Sequence, residues 1–584
     1  MADTTFSSGT VVTSEWLNAA NAVVYAPIYA VLNGVPTKYA TLQAAVTGIG
    51  STVCDVVVQG NFTMTASATF PATATLRFED SAQITTTGYT LTAKVKAGHI
   101  QCFTGTGTVV VLAGSDPIVP QWWGMSTAAS AATNTTALSA AISAAAAIGN
   151  GTEVQIPQGS YALTAGTNFA ATGVAIVGLG MPTLDFSAGT GIGFKLDAGG
   201  SGAGIQRMRV ENIDVKGGPS ITHAFYTRGI WRSIFKNCRC REATTAGFAV
   251  LFNVLNTWDH CYISDDVSSQ TTRPTAYWLL DDDGTGGNRT QANTFINCEV
   301  SGHGSGSTSS GFVLEDATLN VWQGGTAESV SIGIEFKDDQ CRNNSFYGID
   351  LEDNQAKDVV LKGFGNAFYT TIGTSSGSGN TIDVTTAKNS LFVGGYMRLV
   401  TLDAGSSNTT FVGVHFEDNA ALGIQGSGTY RALNITEGNG FAGSTVQHDV
   451  LGTNGTWTPV FTTGSGSQGA VTTRVATYQR VGSLVCIQAA LTIAKGTLGA
   501  GALEISGLPF APKNTSNAFQ YITIGEWSNL AFGVGYTNLS IRLTPGSTTC
   551  SLIRSGDSVS SATVSLASFP DPIVLFFSGI YIAD

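Results

Sequence analysis

The stretch NTFINCEV, residues 293–300, has a counterpart in NSFYGIDL, residues 344–351. Each begins with Asn, has Phe two places later, and then alternates apolar or small residues with polar ones. The same pattern recurs through the middle of the chain, headed by Phe235, Trp258, Phe295, Trp322, Phe346, Phe368, Phe392 and Phe411. All but one of the steps between these aromatic residues are 19–27 residues long, which is the range of solenoid repeats. The spacing therefore predicts a stack of similar coils.

An Asn before the aromatic residue recurs in most copies of the pattern. It stands two places before the aromatic in five consecutive copies, at Asn256, Asn293, Asn320, Asn344 and Asn366. In two later copies it stands three places before, at Asn389 and Asn408. We expect these Asn residues to stack as a ladder at one turn, with left-handed backbone conformations and amides bonded from coil to coil.

The residues after each aromatic alternate with a period of two. The third and fifth residues are small or apolar, as in Cys298 and Val300, whereas the fourth and sixth are mostly polar. This period indicates strands with one inward and one outward face. The copy at Phe368 is the weakest, because Thr371 and Gly373 occupy its inward positions. We predict an all-β chain built on a right-handed parallel β-helix over roughly residues 150–440.

Different patterns flank the repeat. Residues 133–149 place Leu138, Ile142, Ala145 and Ile148 on one helical face, which predicts an amphipathic helix that caps the first coil, with Asn or Thr at its start and Gly at its end. The Trp pair in QWWGM (121–125) is expected to pack there, and VQIPQGSYAL (154–163) to form the first strands. We therefore predict that the chain has four regions: an N-terminal segment (1–30), a small β lead-in (31–125), the capped β-helix (126–445) and a C-terminal β-sandwich (446–584).

Composition excludes several function classes. With 71 Gly, 12% charged residues and a net charge of −12, the chain has no basic stripe for nucleic acid. The first residues lack an export signal, and the apolar stretch at 22–32 is too short to insert in a membrane. The nine Cys residues are expected to be reduced, without zinc spacing. Neither a metal nor another cofactor is predicted, since no nucleotide-binding or Ser-His-Asp motif is present.

Several stretches resemble a known family, the bacteriophage tailspikes with a pectate-lyase-like right-handed β-helix. FSSGTVVTSEWLNAANAVVY (6–25) is similar to the N-terminal segment of many tail proteins. Residues 56–84, continuing through PQWWGM and VQIPQGSYAL, resemble the tailspike lead-in, and residues 455–491 resemble a C-terminal domain of tail fibres and spikes.

The resemblance implies a homotrimer that binds, and commonly cleaves, a bacterial capsule, O-antigen or exopolysaccharide. It also implies a virion tail protein, assembled in the host cytoplasm and acting outside the host, whose residues 1–30 attach to a phage tail or baseplate protein. Two function classes remain open. The chain is a polysaccharide depolymerase, or it is a receptor-binding spike that holds the sugar without cleaving it. For the depolymerase, the sequence favours a hydrolase because no basic cluster would neutralise a uronate, and a lyase is the alternative.

Outward carboxylates are the candidate catalytic groups, since glycosidic hydrolysis uses two carboxyl groups. Successive coils place equivalent residues about 4.8 Å apart, so the fourth and sixth positions form one predicted surface, here called the outer patch. Its members are Glu299, Glu328, Asp350, Glu352, Tyr396, Arg398, His415 and Glu417. We predict that Glu328 acts with Glu352 or Asp350, and that the other five hold substrate.

A second candidate is the acidic insertion LLDDDGTGG (279–287), which is either a functional loop near a groove or a plain solvated or Ca²⁺-binding loop. Tyr262, Tyr277 and Trp278 either stack on sugar rings or belong to the core.

Overall fold

The computed structural model describes residues 28–583 except 80, 200–203, 265–271, 283, 285–286, 304–306, 374–380, 417–422, 434–445, 448–452, 464–467, 500, 529–533, 557–558 and 566–570. The chain divides into two compact units. The first contains the described residues up to 409 together with 413–429, and the second contains 410–412, 430–433 and the described residues from 446 onward.

Three long parallel sheets, here called A, B and C, form most of the first unit. Each coil contributes one strand to A, then one to B, then one to C, which is the architecture of a parallel β-helix. In the first unit, sheet A contains Thr152–Ile156, Val174–Gly178, Arg209–Glu211, Ile234–Lys236, Thr257–Asp259, Thr294–Ile296, Val321–Gln323, Ser345–Tyr347, Ala367–Tyr369 and Leu391–Val393.

Sheet B contains Ser160–Ala162, Thr183–Asp185, Asp214–Lys216, Arg239–Arg241, Tyr262–Ser264, Glu299–Ser301, Thr326–Glu328, Asp350–Glu352, Ile372–Gly373, Tyr396–Met397 and His415–Phe416. Sheet C contains Gly191–Asp197, Ile221–Arg228, Ala246–Leu251, Ala276–Asp281, Ser310–Leu314, Ile332–Phe336, Lys357–Leu361, Thr381–Val384, Leu399–Leu402 and Gly423–Gly426. Two further parallel pairs join Ile205–Gln206 to Ile230–Trp231 and Thr290–Gln291 to Ala317–Thr318.

The lead-in region is also largely parallel. A hairpin of Ile28–Leu32 and Val35–Lys38 is followed by helix Leu42–Ile49. Four parallel strands continue the sheet, namely Cys54–Val58, Ala74–Phe78, Thr90–Lys96 and Thr108–Val111, and Ala68–Thr69 pairs with the third of them. A small parallel sheet of Phe62–Thr63, Ile84–Thr85 and Phe103–Thr104 lies in the same region.

The predicted capping helix is present as Ala131–Ile148. Leu138, Ile142 and Ala145 are buried, and the helix packs on the first strands of the β-helix. Gly149 ends it as predicted, but Ser130 rather than Asn or Thr caps its start, accepting a hydrogen bond from the Thr133 N–H. This helix has the length and mean hydropathy of a membrane span, a test that core helices also pass, and 44% of it is buried within the protein.

The Trp pair lies just before the helix, in the 3₁₀ turn Pro120–Trp123. Trp122 is fully buried and donates its indole N–H to the Gly98 carbonyl at 3.0 Å. Trp123 is half-buried, and its ring centroid lies 5.6 Å from that of Phe103. Both residues therefore pack in the core of this region, as predicted.

A continuous aromatic stack fills the interior behind sheet A. Phe235, Trp258, Phe295, Trp322, Phe346, Phe368 and Phe392 are all buried, and Phe411 is buried as well. Ring centroids of successive members from Phe235 to Phe392 lie 4.0–6.3 Å apart, with nearly parallel planes. Phe368 stacks like its neighbours, so the weak copy of the pattern is a regular coil. Each buried ring contributes about 2–3 kcal/mol through removal from water.

The predicted asparagine ladder comprises Asn256, Asn293, Asn320, Asn344 and Asn366, all buried. The Oδ1 of Asn320 accepts hydrogen bonds from the backbone N–H and the Nδ2 of Asn293, both at 3.0 Å. Asn320 in turn donates to Asn344, and Asn344 to Asn366. Each amide thus ties one coil to the next, as the sequence predicted.

The prediction that the ladder residues adopt left-handed conformations was wrong. The residue before each ladder position has the positive φ instead, as in Leu255, Ala292, Leu319, Asn343 and Gly365. Asn389 and Asn408 have φ of 55° and 57°, so they belong to this neighbouring column, and Ser390 and Thr409 take the ladder position after them. Asn389 and Asn408, which stand three places before the aromatic residue, therefore occupy a different position in the coil from the ladder Asn residues.

A second left-handed residue joins each strand of sheet A to the next strand of sheet B. Asn212, Asn237, His260 and Asn297 occupy this turn in the earlier coils. Gly324, Gly348, Thr370, Gly394 and Gly413 occupy it in the later coils. One such residue per coil keeps the two sheets at a sharp angle.

The second unit contains a ten-stranded antiparallel sheet. Its strands are Thr453–Thr456, Val460–Thr462, Val471–Val481, Leu484–Ile493, Glu504–Ser506, Gln520–Ser528, Asn538–Leu543, Thr549–Gly556, Val559–Thr563 and Ile573–Ile582. Thr409–Val412, Tyr430–Leu433 and Val446–Gln447 fall mainly in this unit too. One face buries an apolar core that includes Leu491, Leu552 and Phe577. The β-sandwich, like the handedness of the β-helix, stays a prediction. All nine cysteines of the chain are free, as expected.

Asn320→Ala removes the acceptor of the Asn293 backbone N–H, which is left buried without a partner among the described residues. It also removes one of two acceptors of the Asn293 Nδ2, which keeps its bond to the Asn253 carbonyl. We expect the free energy of unfolding to fall by about 2 kcal/mol or more, because a buried unsatisfied group costs about 1–3 kcal/mol. The thermal unfolding midpoint should drop by several degrees, while Gln323→Ala, an exposed position on the same coil, should leave it unchanged. Equal midpoints for the two variants would show that the ladder does not hold the coils together.

Candidate functional site

The outer face of sheet B is where the structure places the predicted outer patch. Strand pairing aligns Glu299, Thr326, Asp350, Ile372, Tyr396 and His415 in one column. Ser301, Glu328 and Glu352 form the next column. At about 4.8 Å per coil, the patch runs about 24 Å from Glu299 to His415. Glu417 lies outside the described residues.

Glu328, Asp350 and Glu352, here called the carboxylate trio, stand on two adjacent strands. Glu328 and Glu352 are direct register partners, so their positions are about 4.8 Å apart. Asp350 pairs with Thr326 and is diagonal to Glu328 at about 8 Å, from the spacings between and along strands. The sequence predicted this arrangement.

Asp350 has the most unusual surroundings of the trio. Its side chain is half-buried, and its Oδ1 has neither solvent contact nor a hydrogen-bond partner among the described residues. Burial raises the pKa of Asp350, the Glu328 charge raises it further, and the Leu351 N–H only partly offsets both. The protonated form of this carboxyl, which a general acid needs, therefore persists to higher pH than in an ordinary Asp.

Counter-ions distinguish the earlier coils of sheet B from the trio. Asp214 is buried and bonded by Arg239 at 2.8 Å and by Arg241 at 2.7 Å. Burial alone would raise the pKa of Asp214, but hydrogen bonds from Arg239 and Thr183 and the charge of Arg241 bring it below its usual value. Within the described part of the chain, Glu328, Asp350 and Glu352 have no such ion pair. Their charges are thus available to a ligand.

The predicted substrate-holding residues lie at different depths. Glu299 is exposed two coils before Asp350. Tyr396 and His415 are half-buried two and three coils after it, with ring centroids 5.2 Å apart. Arg398 follows sheet B and, with the buried Asp358, lines a small internal cavity of about 10 Å³. Its Nε is fully enclosed, so Arg398 is drawn toward the interior more than the strand pattern suggested.

The acidic insertion brings a second pair of carboxyl groups together. Asp281 ends a strand of sheet C, and Glu315 follows the paired strand of the next coil. Burial, followed by the charges of Glu315 and Asp282, raises the pKa of Asp281 to about 6. Lys337 lies 3.3 Å from Glu315 and Arg289 lies 2.8 Å from Asp316, so this cluster has its own cations. Asp283 lies outside the described residues.

Metal binding has no support in the part of the chain that the structure describes, where no group of three His, Cys, Asp or Glu residues is suited to hold an ion. Tyr277 and Trp278 are fully buried and belong to the core. Tyr262 is half-buried, and the Arg239 guanidinium lies 6.0 Å from its ring centroid.

A pair of tyrosines on the outer face of sheet A was not identified from the sequence. Tyr347 and Tyr369 point outward from adjacent strands of sheet A, with ring centroids 4.5 Å apart and an angle of 4° between planes. Both immediately follow a core aromatic, at Phe346 and Phe368, and this repeated position was the available signal.

Neither a protein-family model nor a curated protein sequence matches this chain. Among solved structures, it is similar to the Dettilon tailspike protein gp208, with 11% identity over 93% of this chain and 90% of that chain and a TM-score of 0.31. It is also similar to ORF18 of Geobacillus virus E2, with 13% identity, coverage of 77% and 86%, and a TM-score of 0.34.

Tailspike protein 2 of bacteriophage CBA120 is a further similar structure, with 10% identity, coverage of 79% and 71%, and a TM-score of 0.33. Phage tailspikes therefore recur among the similar structures. Because the sequence identities and TM-scores are low, the evidence for parallel coils in this chain is its own strand pairing.

Proposed function

We propose that this chain is a phage tailspike that binds a bacterial surface polysaccharide and cleaves it by glycosidic hydrolysis. The observation that carries the proposal is the carboxylate trio, aligned on the outer face of sheet B without a counter-ion in the described residues and with the pKa of Asp350 raised. The three stretches that resemble tailspikes support the phage context.

In the proposed reaction, the protonated Asp350 donates its proton to the glycosidic oxygen as the bond from that oxygen to the anomeric carbon breaks. Glu328 accepts a proton from a water molecule, which attacks the anomeric carbon from the opposite side. The two residues occupy positions about 8 Å apart in the sheet, and we propose that their carboxyl groups keep the separation of about 6.5–9.5 Å that leaves room for this water in inverting enzymes. Glu352, adjacent to Glu328, helps to keep the surface negative.

The charge of the site also suggests the substrate class. The trio and Glu299 make this face negative, and Arg398 is partly enclosed. A lyase acting on uronates needs cationic groups beside the substrate carboxylate, and the outer patch has few of them. We infer that the cleaved linkage joins neutral sugars and that the product is a new reducing end, not an unsaturated sugar.

Assembly and location are part of the same proposal. Residues after 450 join three copies of the chain, and residues 1–30 attach the trimer to the phage tail or baseplate. The C-terminal sheet exposes Val475, Leu484 and Ile580 at 63%, 49% and 61%, and we propose that the trimer covers them. The protein is thus a virion component, assembled in the host cytoplasm, that acts at the host surface.

The alternative function is a receptor-binding spike that holds the same polysaccharide without cleaving it. It requires the outer patch for binding but assigns no proton transfer to Asp350. A panel of capsular and O-antigen polysaccharides separates the two, because only the hydrolase produces new reducing ends.

Glu328→Gln and Asp350→Asn should each lower kcat by about 100-fold to 10,000-fold, since each removes one proton-transfer group. Release of reducing ends from the polysaccharide measures this, and thermal unfolding checks that the variants are folded. Glu211→Gln, on sheet A of an earlier coil, serves as the matched control and should cleave like the parent. If both site variants also cleave like the parent, the trio is not the site, and Asp281→Asn tests the second carboxyl pair.

The rate constant kcat should fall as pH rises. Asp350 must be protonated to act, so activity is lost as pH rises through its pKa, which burial and the Glu328 charge raise above the ordinary value for Asp. A rate that stays constant from neutral pH upward, until the protein unfolds, would contradict the role of Asp350.

Light scattering tests the assembly. We expect a mass near three times 60.3 kDa at micromolar concentration. Ile580→Lys, which places a charge on the exposed C-terminal face, should shift the protein toward the mass of one chain. A parent protein that has the mass of one chain would rule out the trimer.

A further inference from the structure

The outward tyrosine pair lies beside the carboxylate trio. Tyr347 is 42% exposed, and Tyr369, one coil further on, is half-buried. The core already has its own aromatic pair, Phe346 and Phe368, on the opposite face of the same two strands. The tyrosine pair is therefore not needed to fill the interior, and it leaves aromatic surface in contact with solvent.

The turn between Tyr347 and Asp350 contains little that would separate them. Tyr347 ends its strand of sheet A, Gly348 turns the chain with φ of 62°, and Asp350 begins the next strand of sheet B. A Cβ at Gly348 would meet only the Thr370 Oγ1, at 3.8 Å. The two outer faces thus meet across an open turn.

Glycine is not required at this turn by the backbone alone. Asn212, Asn237 and Asn297 adopt the same left-handed conformation in earlier coils, where their side chains project from the turn. The Nδ2 of Asn237 donates to the Oδ1 of Asn212 at 2.8 Å, so these side chains form a ridge there. The side chain of Asn297 still lies against Gly324, but at Gly348 the ridge is interrupted before Thr370 occupies the same turn one coil later.

We propose that Tyr347 and Tyr369 form a stacking platform that binds a sugar ring of the polysaccharide next to the linkage that Asp350 protonates. Because the two rings cover each other on their facing sides, the C–H face of a pyranose packs on the side of the Tyr347 ring that faces away from Tyr369, and the tyrosine hydroxyls add hydrogen bonds to sugar hydroxyls. The open turn at Gly348 lets the chain of sugars pass from the platform on sheet A to the carboxylates on sheet B. This inference rests on the proposed polysaccharide function and adds the residues that position the substrate.

The experiment uses an array of purified bacterial capsular and O-antigen polysaccharides as the probe. Binding is measured with full-length Asp350→Asn, so that cleavage does not consume the ligand, and then with Tyr347→Ala, Tyr347→Phe and Gly348→Asn added singly. Phe364→Ala is the control, because Phe364 is an exposed aromatic residue, at 45%, that precedes the sheet A strand which Tyr369 ends. Thermal unfolding confirms that each variant is folded.

We expect Tyr347→Ala to weaken binding at least tenfold, Tyr347→Phe to retain most of it, and Gly348→Asn to weaken it by filling the turn. The control should bind like its background. In the cleaving parent, Tyr347→Ala should raise KM more than it lowers kcat, because the platform acts on binding.

The outcomes separate the platform from the proposed hydrolysis. If Tyr347→Ala and Gly348→Asn bind as tightly as their background, the platform is wrong, whether or not the parent cleaves. If the parent binds but releases no reducing ends while Tyr347→Ala loses binding, hydrolysis is wrong and the platform stands. If the parent binds no polysaccharide on the array, the proposed function fails and the platform fails with it.

Discussion

The register of one coil on the next depends on the buried asparagine amides. Asn293, Asn320 and Asn344 lie where no water reaches them, and each amide obtains its partners from the coils on either side. A coil that slipped by one residue would bury unsatisfied donors and acceptors, at about 1–3 kcal/mol for each group. It would also turn the aromatic residues outward. The ladder and the aromatic stack therefore allow one register, and every outward column follows from it.

That register gives the outer face of sheet B its chemistry. It places Glu328 beside Glu352 and diagonal to Asp350, although their positions in the sequence differ by more than twenty residues. In the earlier coils the same face is neutralised by ion pairs such as Asp214 with Arg239. At the trio such ion pairs are absent from the described residues, and burial, followed by the charge of Glu328, raises the pKa of Asp350. Carboxyl groups on one face of the scaffold thus differ in pKa because their neighbours differ.

The sequence predicted the features that depend on a period of two within a coil: the aromatic stack, the asparagine ladder and the position of the trio. It did not distinguish ladder Asn from left-handed Asn, since Asn suits both a buried amide chain and a positive φ, as Asn389 shows. The enclosed Nε of Arg398 was also missed, because the turn after sheet B breaks the alternation. The pairing of Asp281 with Glu315 spans an insertion that interrupts the repeat, so only the folded chain reveals it.

The configuration of the newly released reducing end tests the central claim most directly, because it reports the spacing of the two carboxyl groups. The polysaccharide linkage is first assigned, and the products of the first minutes of cleavage are then followed by proton NMR before the anomers equilibrate. The diagonal pair of Asp350 and Glu328 predicts inversion, since a water molecule fits between them. Retention of configuration would contradict this account and point to the adjacent pair of Glu328 and Glu352, whose spacing of about 4.8 Å suits a covalent intermediate.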